Sequence, residues 1–162
     1  MTRREIPLDA AEIFAALARH GVEYVLIGGL AVQAHGHVRT TQDADLVPSP
    51  DPGKRARLTA ALGELGARPA GGAEPPPGWS LAEALDGGGT LSFDTDAGGV
   101  DVHHDPPGAA AFAALRERAM VLEIGGVAVV VAGRDDLIAM KRASGRPVDR
   151  GDVIALTRPE IG

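Results

Sequence analysis

Apolar positions recur along this chain with two different periods, and each change of period marks an element boundary. Over residues 8–20, Ile13, Ala16 and Leu17 fall on one helical face. Asp9 stands where it can cap that helix and Gly21 where it can end it. Residues 24–27 form a continuous apolar run, as expected of a strand buried on both faces. Gly28 and Gly29 then open a short helix reaching His35. Residues 43–47 alternate apolar and acidic, predicting a strand that stops at Pro48 and Pro50. Residues 52–65 are helical, with Leu58, Leu62 and Leu65 on one stripe.

The pattern then weakens. Residues 66–90 are rich in Gly and Pro and read as a long, flexible loop, with a possible helical turn at 80–85 beside Trp79. Residues 90–93 and 100–104 read as a strand pair joined through the polar, glycine-containing run 94–99. Pro107 or Gly108 is expected to open a helix ending near Ala119. Residues 120–124 and 127–131 predict a hairpin around Gly125 and Gly126. A helix over 134–143 carries Leu137, Ile138 and Met140 inward and ends at Gly145, and Pro147 starts a last helix to Leu156. No internal repeat is present. The element order predicts one α/β (α+β) domain over residues 1–162, a mixed sheet flanked by helices.

Composition narrows the chemistry. With 44% hydrophobic residues in 162, the chain can bury a substantial core, and with 3% aromatics that core must be aliphatic. The absence of cysteine excludes thiol catalysis, disulfides and Cys-ligated zinc, and suits a reducing, cytoplasmic setting. Residues 1–9 lack the apolar stretch of a secretory leader. The most apolar run, 127–132, is too short to span a bilayer. A net charge of −6 argues against a broad phosphate-tracking surface.

Candidate chemistry lies on the alternating strands. In residues 43–47, Asp43 and Asp45 share one face while Ala44 and Leu46 take the other. In residues 100–105, Asp101 and His103 share a face opposite Val100 and Val102. If the two strands are neighbours with their acidic faces aligned, Asp43, Asp45 and Asp101 converge. Such a cluster repels itself unless a cation intervenes, and its hard oxygen donors suit Mg²⁺ or Mn²⁺. Gly28 and Gly29 let backbone N–H groups approach a phosphate at a helix start. The bland alternatives are an acidic solvated strand face and an ordinary strand–helix turn.

Taken together, Gly28-Gly29, Arg39 to Asp43 and Asp45, Asp101 between two valines, and the run from Asp136 through Lys141, Arg146 and Asp149 to Asp152 resemble the minimal nucleotidyltransferase superfamily. More narrowly, they are similar to bacterial AbiEii and MNT-type toxin–antitoxin nucleotidyltransferases. The resemblance spans about residues 22–156 and implies a polymerase β-like fold. It implies a nucleoside triphosphate (NTP) as substrate, Mg²⁺ or Mn²⁺ held by Asp43, Asp45 and Asp101, and Asp101 as base. It also implies Gly28 and Gly29 as the phosphate loop. Members often carry serine where this chain has Gly29.

Other residues divide between site and scaffold. Arg39 and Thr41 could touch the triphosphate, or Arg39 could pair with Asp43. Lys141 could face the nucleotide, or pair with Asp149 or Asp152. His103, on the face of Asp101, could line the pocket, but the leading expectation is an exposed strand histidine; His35 is expected to be structural. The leading function is transfer of a nucleoside monophosphate to an acceptor hydroxyl on RNA, protein or a small molecule, with a cognate toxin or antitoxin as a further partner. The alternatives are a catalytically degenerate nucleotide- or partner-binding module and a metal-dependent phosphohydrolase.

Overall fold

The computed structural model describes Thr2 and residues 5–158. Met1, Arg3 and Arg4, part of the run read above for a leader, lie outside them. Helix α1 (Ala10–Arg19) is capped by Asp9, whose carboxylate accepts from the Glu12 N–H at 3.1 Å. It buries Ile13, Phe14, Ala16 and Leu17. Strand β1 (Tyr24–Ile27) is buried at every position, as its unbroken apolar run requires. Helix α2 (Gly28–Ala34), β2 (Asp43–Pro48) and α3 (Pro52–Glu64) follow close to their expected limits. The ring of Phe14 on α1 stacks on that of Tyr24 on β1, with centroids 6.3 Å apart.

Further along are β3 (Arg68–Pro69), α4 (Leu81–Leu85), β4 (Thr90–Thr95), β5 (Gly98–His103) and α5 (Phe112–Glu117). The hairpin β6 (Met120–Ile124) and β7 (Val127–Val131) precedes α6 (Arg134–Ser144) and α7 (Pro147–Thr157). The seven strands form one mixed sheet in the order β3-β4-β5-β2-β1-β7-β6. Only β2–β5 and β1–β7 pair in parallel. The core is a single aliphatic cluster, with Val25, Leu26, Ala44, Leu46, Val100, Val102, Val129 and Val131 all fully buried. Among the described residues, no helix is long and apolar enough to cross a membrane.

Three expectations need correction. The segment 66–90 is not loop throughout: Arg68 and Pro69 add an edge strand opposite Asp94 and Phe93, where proline loses no ladder bond. The β4–β5 connection is not six residues long. Thr95 and Gly98 are already paired, because the Thr95 hydroxyl donates to the Gly98 carbonyl at 2.6 Å and accepts from the Ala97 N–H at 3.1 Å. Helix α5 starts at Phe112, not at Pro107 or Gly108. Gly108 has φ of +80°, and a Cβ there would stand 2.6 Å from the Ala139 carbonyl. That position is a close left-handed approach to α6 and cannot continue a right-handed helix.

Candidate functional site

The parallel pairing of β2 with β5 puts Asp45 directly opposite Asp101, with Ala44 opposite Val100 and Leu46 opposite Val102. The valines, Ala44 and Leu46 face the core, so strand alternation turns the acids outward together. Gly99, opposite Asp43, leaves that position without a side chain beside it. Directly opposed like charges destabilise a sheet unless something neutralises them.

His103 joins this pair. Its Nε2 lies 2.8 Å from Asp45 Oδ1 and its Nδ1 lies 3.0 Å from the Thr90 hydroxyl. The histidine is only 18% exposed, which corrects the expectation of an exposed strand histidine. The reason is β4, whose Thr90 pairs with His103 and covers it. One ligand atom each from Asp45, Asp101 and His103 lies within 4.8 Å of the others. The two carboxylates suit a hard divalent cation such as Mg²⁺ or Mn²⁺, and the imidazole is a softer nitrogen donor beside them. Asp43 lines the same cleft two residues upstream but is not part of that group of three.

Gly28 is shaped by Asp45. It has φ of +71°, and a Cβ there would fall 2.2 Å from Asp45 Oδ2. Both the backbone conformation and the space therefore require glycine, and its missing side chain lets β1 turn into α2 against the carboxylate. Gly29 is constrained differently. A Cβ there would meet the Thr41 hydroxyl at 3.0 Å and the Arg39 guanidinium carbon at 3.3 Å. The hydroxyl of Thr41 thus stands where a side chain at Gly29 would begin.

The cleft has a volume of about 770 Å³. Its lining takes Asp43, Asp45, Asp101 and His103 from strands β2 and β5, Arg39 from the α2–β2 loop, and Lys141, Arg146 and Asp149 from the α6–α7 region. Pro106, Pro107, Leu137 and Met140 add an apolar wall. Arg39 forms a short ion pair with Asp152 on α7. The loop carrying it is tied to α2, since the Gln33 amide donates to the Arg39 carbonyl. Lys141 is 7% exposed and lies 3.0 Å from both Asp149 and Asp152. It therefore lines the cleft and is ion-paired, so the two expectations for it are not exclusive.

Asp149 also accepts from the Arg146 guanidinium at 2.9 Å and from the Arg146 backbone N–H at 3.2 Å. Burial alone would raise its pKa. Hydrogen bonds from Arg146, Ser144 and Lys141 outweigh burial and hold the carboxyl well below the usual carboxylate range. His35 is structural, its Nε2 lying 2.9 Å from the Ala132 carbonyl.

Sequence reasoning missed Thr90 and the depth of His103. It also left open that Asp149 and Asp152 are both used. Helical spacing of three residues between the two acids was the available signal.

No protein-family model matches the chain, and no curated protein matches it in sequence. Solved structures do match in fold. The lincosamide antibiotic adenylyltransferase LnuA, with lincomycin bound, aligns with a TM-score of 0.61 at 15% identity, over 93% of this chain and 97% of LnuA. ANT(2'')-Ia in complex with adenylyl-2''-tobramycin aligns with a TM-score of 0.56 at 17% identity, over 90% of this chain and 84% of that one. TM1012 from Thermotoga maritima, a candidate nucleotidyltransferase, aligns with a TM-score of 0.55 at 14% identity, over 89% and 86% of the two chains. The protein has the fold of these nucleotidyltransferases.

Proposed function

We propose that this protein is a metal-dependent nucleotidyltransferase that moves a nucleoside monophosphate from an NTP to an acceptor hydroxyl. The observation that carries the reading is the opposition of Asp45 and Asp101 in one register, beside a glycine that only a side-chain-free residue can fill. Asp45, Asp101 and His103 would hold the cation, with Asp43 adjoining. When bound, such an ion supplies charge neutralisation at the phosphates and Lewis-acid activation.

The chain's own residues supply the rest. Asp101 takes the proton of the acceptor hydroxyl, whose oxygen forms a bond to the α-phosphorus. The bond from that phosphorus to the bridging oxygen breaks, and pyrophosphate leaves. Arg39 and Lys141 stand at the cleft as fixed positive charge for the departing phosphates. The backbone at Gly28 and Gly29 approaches the phosphates, and Thr41 offers a hydroxyl beside Gly29.

A small hydroxylated molecule is the acceptor class we favour. The chain's net charge of −6 disfavours RNA, and two structural neighbours were solved with lincomycin and with an adenylylated tobramycin. The test is incubation of the protein with labelled NTPs, Mg²⁺ and a panel of polyhydroxylated small molecules. Wild-type protein transfers label, and Asp45→Asn loses it by about a hundredfold or more. Unchanged transfer by Asp45→Asn would rule this reading out. Absence of transfer by wild-type protein, with partner binding intact, would leave a binding module of the same fold. A toxin–antitoxin role, the finer expectation, requires growth arrest on expression that Asp45→Asn relieves.

A further inference from the structure

Two of the three cleft cations come from distant parts of the chain. Arg39 lies on the α2–β2 loop and Lys141 on α6. Both line the cleft, yet both end on the same carboxylate, Asp152 of α7. Asp152 is 2% exposed and stands behind them, outside the cleft lining. His37, on the same loop as Arg39, faces Asp152 at 3.9 Å. Asp149, one turn earlier on α7, holds Lys141 from a second side.

A buried carboxylate shared by two cations is costly to desolvate and rarely adds stability over an apolar pair. What it does supply is orientation. An arginine on a loop and a lysine on a helix would otherwise each sample several rotamers, and ordering such long side chains on binding lowers affinity. The charge count also matters: Arg39, Lys141 and Arg146 against Asp149 and Asp152 leave one net positive charge among residues at the cleft.

We infer that Asp152 is a positioning residue for anion binding: it fixes Arg39 and Lys141 as one preorganised cationic wall, so that the last helix sets where a polyphosphate sits. This rests on the nucleotidyltransferase reading, which assigns the phosphates to this side of the cleft. Asp152 touches no reacting atom.

The probe is inorganic tripolyphosphate with Mg²⁺, titrated calorimetrically into the full chain. Thermal melts are recorded on each variant. Asp152→Asn weakens tripolyphosphate binding about tenfold, and Arg39→Gln does about the same. The double variant is no weaker than either single one, because each change dismantles the same arrangement. Two results overturn the inference: additive losses in the double variant, or a lowered melting temperature with tripolyphosphate affinity unchanged.

Should Asp152→Asn not fold, Arg39→Lys serves, because it keeps the charge and loses the planar fork that Asp152 grips. It binds tripolyphosphate severalfold more weakly, and binding equal to wild type overturns the inference. Wild-type protein that binds no tripolyphosphate overturns both this inference and the phosphate role of the two cations. Intact tripolyphosphate binding without nucleotide transfer overturns the functional reading alone.

Discussion

The two charged walls of the cleft are built on opposite principles. On the strand wall, like charges are gathered: Asp45 faces Asp101 across a parallel ladder, with His103 hydrogen-bonded to Asp45. On the helical wall, opposite charges interlock, three cations on two acids: Lys141 between Asp149 and Asp152, Arg39 on Asp152, Arg146 on Asp149. The first arrangement gathers donors that suit a cation and so points to a ligand. The second is nearly self-sufficient and so points to rigidity. A site that must bind both metal and polyphosphate gains from having one unbalanced wall and one balanced wall.

The sharpest way to break the contrast is to remove the centre of the balanced wall. Lys141→Met keeps the volume of the stem and deletes the charge. Breaking a buried pair costs about 3–5 kcal/mol, and Arg39 and Arg146 still partner the two acids, so the lower end applies. A thermal melt should fall by roughly 6–12 °C. A fall of less than about 2 °C would mean that the helical wall behaves as a set of surface ion pairs. Asp45→Asn should do the reverse, sparing or raising the melting temperature while removing transfer, because it relieves repulsion between opposed acids.

Next in size is the glycine that the strand wall demands. Gly28→Ala forces a side chain into left-handed backbone, which costs about 1–2 kcal/mol, and also drives it into Asp45. Gly36→Ala is the control. Gly36 also has a positive φ, +98°, but nothing lies within 4 Å of its would-be Cβ. Gly28→Ala should lose more stability than Gly36→Ala, and it alone displaces Asp45 and abolishes metal binding. Equal metal affinity in both, measured by Mn²⁺ titration, would show that Gly28 serves the turn and not the carboxylate.

Acid titration separates the walls more gently. Hydrogen bonds and nearby cations depress the folded pKa of Asp149 below its unfolded value. Its contribution to stability is therefore present above the ordinary carboxylate value of about 4 and is lost as pH falls below it. Chemical denaturation followed between about pH 6 and pH 3 should show wild type losing stability toward acid. Asp149→Asn should be less stable at pH 6 and should lose less on acidification. Parallel curves for the two proteins would remove Asp149 from the acid-sensitive set.

The same contrast explains what was legible in the sequence. The strand wall rests on signals with short range. An i, i+2 spacing sets Asp43 and Asp45 on one face and Asp101 with His103 on another, and a glycine pair marks the turn into α2. What the alternation could not supply is the neighbour strand, so Thr90 and the cover over His103 were invisible. The helical wall is long-range by construction, since Arg39 and Asp152 are 113 residues apart. No periodicity links a loop arginine to an aspartate on the last helix. The misread segments fail for a related reason. Gly108 and the turn after Asp94 look like helix start and open loop locally, and only contact with α6 and the strength of the Thr95 hydrogen bonds decide otherwise.

The smallest expected effect lies where the two walls meet. The superfamily that the sequence resembles often has serine at the position of Gly29, where this chain has no side chain to offer a phosphate. The geometry argues instead for an exchange. A Cβ on Gly29 would stand 3.0 Å from the Thr41 hydroxyl and 3.3 Å from the Arg39 guanidinium carbon. Thr41 already brings a hydroxyl to that spot, and its Oγ1 lies 3.3 Å from the Asp43 carbonyl. Gly29→Ser would therefore crowd Thr41 and Arg39 and leave transfer unchanged or lowered by a few fold. Gly29→Ser combined with Thr41→Ala should recover wild-type activity, since one hydroxyl replaces the other. Thr41→Ala alone should lower nucleotide affinity severalfold, in line with one lost hydrogen bond to a charged group. If Gly29→Ser alone raises activity well above wild type, Thr41 does not substitute for serine. The junction of the walls would then be a place where this chain has weakened its phosphate grip.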